Sequence, residues 1–293
     1  MAIADFAPDP PVAFPPARTV HVHGRGEFFL RDSGVFEDQS DRPVVMLLHG
    51  WFASSDLNWA GSYGALIDAG YRVIGIDHRG HGRGLRPLKP FTLIDCADDA
   101  AAVLRTLGLA PTLIVGYSMG GAIAQLIARD HPDVVRGLVL SGTAQHWQEP
   151  ELKRAWRALG TAGFAMRVAP SSFWNVGFKR IAMPAAPGTT WLRSELLRHN
   201  PTHLIQAGHE LERFDSRPWL RPLAIPTAVA LTTHDTVVPP WKQHELAAAC
   251  AAAVFEAPID HLEVARGGPY NPPLLAALTA VGGTTPIAHA AEA

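Results

Sequence analysis

The apolar run Thr112-Leu113-Ile114-Val115 leads without a break into Gly116-Tyr117-Ser118-Met119-Gly120-Gly121, and Ala122 to Arg129 then read as a helix. A strand that passes into a helix through so few residues leaves the backbone little freedom. Ser118 must stand on a very tight turn in a strained conformation, and side chains at 116 and 120 would collide with neighbouring backbone. Gly121 and Ala122 keep the following helix close to the sheet. The serine is then presented at the N-terminus of that helix, whose partial positive charge favours a developing oxyanion.

The same rhythm of strand, turn and helix runs through much of the chain. Thr19–His23 and Glu27–Arg31 are short β-like segments separated by Gly24 and Gly26. From Pro43 onward, Val44–Leu48, Tyr71–Ile76, Thr112–Val115 and Gly137–Leu140 read as strands. Trp59–Ala69, closed by Gly70, and Leu93–Leu107, closed by Gly108, read as the helices between them. Val44–Leu48 is apolar without alternation, as suits a strand buried on both faces of a parallel sheet. The rhythm stops near Ala144 and resumes near Arg221 with the strand Ala228–Leu231, the helix Trp241–Cys250, the strand Ala253–Phe255 and the helix Pro273–Ala280. The expected architecture is an α/β fold with a mostly parallel eight-stranded sheet flanked by helices. The expected organisation is an extended arm at 1–18, a core at 19–143 and 221–281, a helical lid inserted at 144–220, and a loose tail at 282–293.

Composition narrows the function. A formal net charge of −2 offers no concentrated basic face for nucleic acid. The chain is 47% hydrophobic over 293 residues, enough for a sizeable core, yet no uninterrupted apolar stretch approaches the roughly 20 residues needed to span a bilayer. The first residues lack a basic start followed by an apolar run, and Cys96 and Cys250 make no disulfide framework. A soluble, cytoplasmic protein is the expectation.

Four elements in order carry a resemblance: His49-Gly50-Trp51, Asp77-His78-Arg79-Gly80-His81-Gly82, Gly116 to Gly121, and His234-Asp235 with a later His261. Together they resemble the α/β-hydrolase superfamily over about Thr19 to Ala280, with the lid outside the motifs. A serine hydroxyl is a weak nucleophile that needs a base, and the base needs an acid to fix its tautomer. The resemblance implies the chain order serine, acid, histidine, which points to Ser118, Asp235 and His261. Asp260 is too close in sequence to His261 to turn toward its ring, Asp215 falls in the lid, and no carboxylate stands near Ser141-Gly142-Thr143. For the oxyanion, Met119 follows the nucleophile at the helix start and offers one backbone N–H. By resemblance the residue after His-Gly, Trp51, offers the other, with Phe52 as the alternative. His49 reads as a structural loop residue.

Two further clusters have plainer readings. Asp77 and Arg79 are expected to hold their loop through a charge-assisted pair, with Gly80 and Gly82 permitting the turn. His199 and His203 have the i, i+4 spacing of two metal ligands, but no third ligand stands out beyond His209 or Glu210, and no metal or other cofactor is expected. Ala144 to Leu220 carries ten Lys plus Arg against six Asp plus Glu, together with many apolar residues including Phe164, Met166, Val168, Phe173, Trp174 and Phe178. Part of that apolar set is expected to line a pocket. The expected function is hydrolysis of small or medium apolar carboxylic esters through an acyl-enzyme. Carbon–carbon bond hydrolysis, lactone hydrolysis, perhydrolysis and acyl transfer would use the same residues. Epoxide hydrolases and haloalkane dehalogenases of the superfamily use an aspartate nucleophile, which Ser118 disfavours. A non-catalytic small-ligand binder is the alternative of a different class.

Overall fold

A computed structural model describes residues 9–35, 41–149, 162–180 and 187–282. Residues 1–8 of the arm, most of the tail (283–293) and parts of the 144–220 stretch lie outside the described residues. The strands are β1 (Ala17–Val22), β2 (Gly26–Asp32), β3 (Val44–Leu48), β4 (Arg72–Ile76), β5 (Thr112–Tyr117), β6 (Val135–Ser141), β7 (Thr227–Thr232) and β8 (Ala253–Ala257). They form one sheet in the order β1-β2-β4-β3-β5-β6-β7-β8. β1 and β2 make an antiparallel hairpin, β2 pairs antiparallel with β4, and every pairing from β4 to β8 is parallel.

The helices are α1 (Ser55–Trp59), α2 (Tyr63–Asp68), α3 (Leu93–Thr106), α4 (Met119–Asp130), α5 (162–168), α6 (Pro170–Arg180), α7 (Pro187–Leu196), α8 (Pro201–Arg213), α9 (Pro240–Cys250) and α10 (Asn271–Gly282). The unbroken apolar runs have a simple cause. Met46 and Leu48 face the core shared with α3, α4 and α9, while Val45 and Leu47 face a second core with Trp59, Tyr63 and α10. Both faces of the central strands are thus covered, as a parallel sheet requires.

One expected helix is two. Trp59–Ala69 is interrupted after α1 because Gly61 packs directly against the backbone of Arg266 and Gly267, and its N–H donates to Ala265 O at 3.0 Å. The chain turns there and restarts as α2 before Gly70, whose φ of +87° ends it. Between β6 and β7 the described residues hold helices α5 to α8 and no named strand. The two ends of this stretch meet: His146 bridges Asp215, and Ser216 N–H donates to Gln145 O at 2.8 Å. No helix among the described residues is long and apolar enough to cross a membrane.

Candidate active site

β5 delivers Ser118 and α4 begins at the next residue. Ser118 has φ +53° and ψ −116°, a conformation that L-residues rarely adopt and that surrounding structure must enforce. The enforcement is visible: Ser118 N–H donates to Ser141 O at 2.9 Å, and the Thr143 hydroxyl donates to Ser118 O at 2.8 Å. The flanking glycines are needed for contact rather than for unusual torsions. A Cβ at Gly116 would strike Gly120 O, and one at Gly120 would strike Leu48 O.

β7 and β8 bring the other two residues. Asp235 lies just past β7 and His261 begins a 3-10 turn past β8. His261 Nε2 stands 3.1 Å from Ser118 Oγ, and His261 Nδ1 stands 2.7 Å from Asp235 Oδ2. Asp235 is itself saturated. Oδ2 also accepts from the Thr232 hydroxyl at 2.7 Å, while Oδ1 accepts the Val237 and Val238 N–H groups at 2.9 and 2.7 Å. A carboxylate held by this many donors is fixed in position and orientation. All three residues are buried, with 7%, 3% and 8% exposure for Ser118, Asp235 and His261, so their electrostatic interactions act with little screening by water.

The competitors are elsewhere employed. Asp260 accepts from Thr236 and from the Leu262 N–H, capping the turn that starts at His261. Asp215 pairs with Arg217. His49 is fully buried: its Nε2 accepts the His78 N–H at 3.0 Å and its Nδ1 donates to Gly50 O at 2.8 Å, and burial pushes its pKa down to about 4. It is a neutral loop residue.

The expected Asp77–Arg79 pair is not made. Asp77 accepts from Ser55 N–H and hydroxyl and from Arg83 N–H, and Arg79 forms a two-pronged pair with Asp99 of α3. Both Asp77 oxygens are taken by Ser55 and the Arg83 N–H, and α3 brings Asp99 to Arg79 instead. His199 Nδ1 accepts the Gly82 N–H at 2.9 Å, and no group of three His, Cys, Asp or Glu among the described residues is arranged to hold a metal ion.

The loop after β3 comes close to Ser118. A Cβ at Gly50 would lie 3.2 Å from Ser118 Cβ, a tight contact that glycine avoids as the Gly50–Ala53 turn approaches the serine. Trp51 and Phe52 follow Gly50 directly in this turn, and Met119 is the first residue of α4. The first N–H groups of a helix lack partners inside it. Phe52, at φ +60°, turns toward an open cleft of about 760 Å³ lined also by Phe164, Val168, Phe173 and Trp174.

Several contributors carry no sequence signal at their positions. Thr232 orients Asp235, Thr143 braces Ser118, and Asn58 Oδ1 accepts the Gly50 N–H at 2.9 Å. The Tyr117 hydroxyl donates to the His261 carbonyl at 2.7 Å, and only its place beside Ser118 marks it in the sequence.

Comparison with known proteins agrees with this fold. A family model described as alpha/beta hydrolase fold matches residues 43–260. A non-heme haloperoxidase of Rhodococcus erythropolis is 32% identical over 231 residues, 73% of this chain and 80% of the relative. A bifunctional esterase/perhydrolase of Acinetobacter calcoaceticus is 36% identical over 115 residues, 39% of this chain and 40% of the relative. A crystal structure of a hydrolase from Pseudomonas aeruginosa PA01 superposes with a TM-score of 0.75 at 23% identity, covering 89% of this chain and 98% of that one.

Proposed function

The chain belongs to the α/β-hydrolase fold family, and on that premise we propose that it is a serine hydrolase cleaving carboxylic esters of small or medium apolar substrates. The observation that carries the reading is the continuous hydrogen-bonded line from Ser118 Oγ through His261 to Asp235.

In this reading Ser118 Oγ attacks the ester carbonyl as His261 Nε2 takes its proton. Asp235 keeps the Nδ1–H tautomer in place and stabilises the imidazolium that forms. The backbone N–H groups of Met119 and Trp51 receive the oxyanion, with Phe52 the alternative second donor. His261 returns the proton to the departing alcohol oxygen. Water, deprotonated by the same histidine, then attacks the acyl-enzyme and releases the acid and Ser118. The residues between β6 and β7 act as a lid, and the apolar cleft at Phe52, Phe173 and Trp174 receives the apolar part of the ester.

Perhydrolysis is a second reading, favoured by the Acinetobacter calcoaceticus relative. It needs only hydrogen peroxide in place of water at the second step, giving a peracid from the same acyl-enzyme.

Rates on p-nitrophenyl esters from acetate to palmitate test the proposal, with wild type beside Ser118→Ala. Loss of several orders of magnitude in Ser118→Ala supports Ser118 as nucleophile. Wild type inert to every ester would discard the substrate class. Peracid formation with added peroxide separates the second reading from the first.

A further inference from the structure

The loop that stands beside Ser118 is fastened from two sides. From the core side, Asn58 Oδ1 accepts the Gly50 N–H at 2.9 Å and His49 ties the same loop to the end of β4 through the His78 N–H. From the opposite side, the Trp51 indole N–H donates to the Leu204 carbonyl at 2.8 Å, reaching across 153 positions of sequence. We propose that Trp51 is a positioning residue whose indole, anchored on Leu204, holds the backbone N–H of the loop in line with the oxyanion. The inference rests on the reading of this loop as one of the two oxyanion donors.

Three features make the anchor more than a surface contact. First, the loop is strained: it closes in a tight turn, with Ala53 N–H donating to Gly50 O, and Phe52 sits at φ +60°. A non-glycine residue stays there only where its surroundings over-determine it. Second, Leu204 is a fixed point. It is fully buried in the first turn of α8, and that turn is capped by Asn200, whose side-chain oxygen accepts the His203 N–H at 3.1 Å. Asn200 N–H itself donates to Gly80 O at 3.0 Å, and Gly82 N–H donates to His199 at 2.9 Å, so the start of α8 is bound to the loop after β4.

Third, the two anchors bracket one peptide group. Asn58 holds the Gly50 N–H, and the indole holds the far end of the very next side chain. An aromatic side chain has two torsions, so fixing its ring nitrogen leaves its Cα, and the peptide between 50 and 51, little freedom. The donor's aim is therefore set jointly by the core and by α8 of the stretch between β6 and β7. Oxyanion donors act through such preorganisation, and small misplacements are felt in the transition state.

Trp51→Phe tests this, because it keeps an aromatic ring and deletes the N–H. Loss of a whole oxyanion donor costs roughly 10²–10³ in kcat. A donor loosened rather than removed is expected to cost about 10- to 100-fold in kcat on the best p-nitrophenyl ester, with KM changed less than about twofold. Affinity for an alkyl boronic acid, whose tetrahedral adduct on Ser118 places an oxygen where the oxyanion forms, is expected to fall by the same factor as kcat/KM. Rates are normalised to sites titrated with a fluorophosphonate. If Trp51→Phe does not fold, Trp51→Leu is read in the same way. A raised KM with kcat intact makes Trp51 a pocket wall and overturns the proposal, as does a boronate affinity unchanged while kcat falls. An insensitive Trp51→Phe in an enzyme that Ser118→Ala inactivates overturns this inference alone. A wild type inert to ester, boronate and fluorophosphonate overturns it together with the reading beneath it.

Discussion

Asp235→Asn exchanges one oxygen for an amide NH₂ in a site where every hydrogen bond has a direction. Oδ1 accepts two backbone N–H groups, from Val237 and Val238, and Oδ2 accepts from Thr232 and faces His261 Nδ1. An asparagine keeps the two backbone bonds only by placing its single oxygen at the Oδ1 position. Its NH₂ then points at His261 Nδ1, and that nitrogen must accept. The imidazole proton moves to Nε2, the atom 3.1 Å from Ser118 Oγ, where a base is needed. His261 is held in place but in the wrong tautomer. For a triad acting as a unit this costs about four decades of kcat, which is roughly 5 kcal/mol of transition-state stabilisation. Because the two backbone bonds survive, the melting temperature is expected to change by only a few degrees. The assay is kcat for ester hydrolysis at neutral pH beside thermal melting. A variant that melts like wild type and keeps kcat within tenfold would refute the assignment of Asp235 as the acid.

Two further outcomes follow from local geometry. Ser118→Gly removes a side chain from φ +53°, relieving strain of about 1–3 kcal/mol, and both braces on this residue are to backbone atoms and remain. Glycine's extra freedom in the unfolded chain gives back about 0.5–1 kcal/mol, so the variant is expected to melt a few degrees higher while losing activity; a lower melting temperature would contradict the strain argument. His49 and His81 are fully buried and desolvation holds their pKa values down to about 4 and about 3, while burial and neighbouring imidazoles hold His78 and His199 well below the ordinary 6.5. Unfolding therefore takes up protons below pH 6.5, so stability is retained above that value and lost as pH falls toward 4, by up to about 1.4 kcal/mol per pH unit for each histidine. Melting temperatures from pH 7 to 4.5 measure this, and a flat profile would contradict it.

What the sequence could reveal depended on the range of the interaction. Unbroken apolar runs such as Val44–Leu48 carry their own evidence of burial on both faces, and strand, turn and helix around Ser118 are consecutive residues, so a local reading sufficed. Pairings set by the fold were not legible. Arg79 looked toward Asp77 in sequence, yet α3 supplies Asp99 at closer reach. The break between α1 and α2 depends on the backbone near Arg266, two hundred residues away. The Trp51–Leu204 and Arg83–Glu195 contacts likewise join the core to the stretch between β6 and β7. That stretch announces itself only as the place where strands stop. α8 buries one face through Leu204, Ala207, Gly208 and Leu211, but which residues of the stretch meet the cleft is decided by packing.

On the proposed reading, Ser118 is an activated nucleophile, with His261 Nε2 3.1 Å from its Oγ. The direct measurement is reaction with a fluorophosphonate followed by peptide mass spectrometry, on wild type and Ser118→Ala. The expected result is one adduct per chain on Ser118, formed in minutes and absent from Ser118→Ala. A folded wild type that stays unlabelled, or carries its adduct on another residue, would contradict the account.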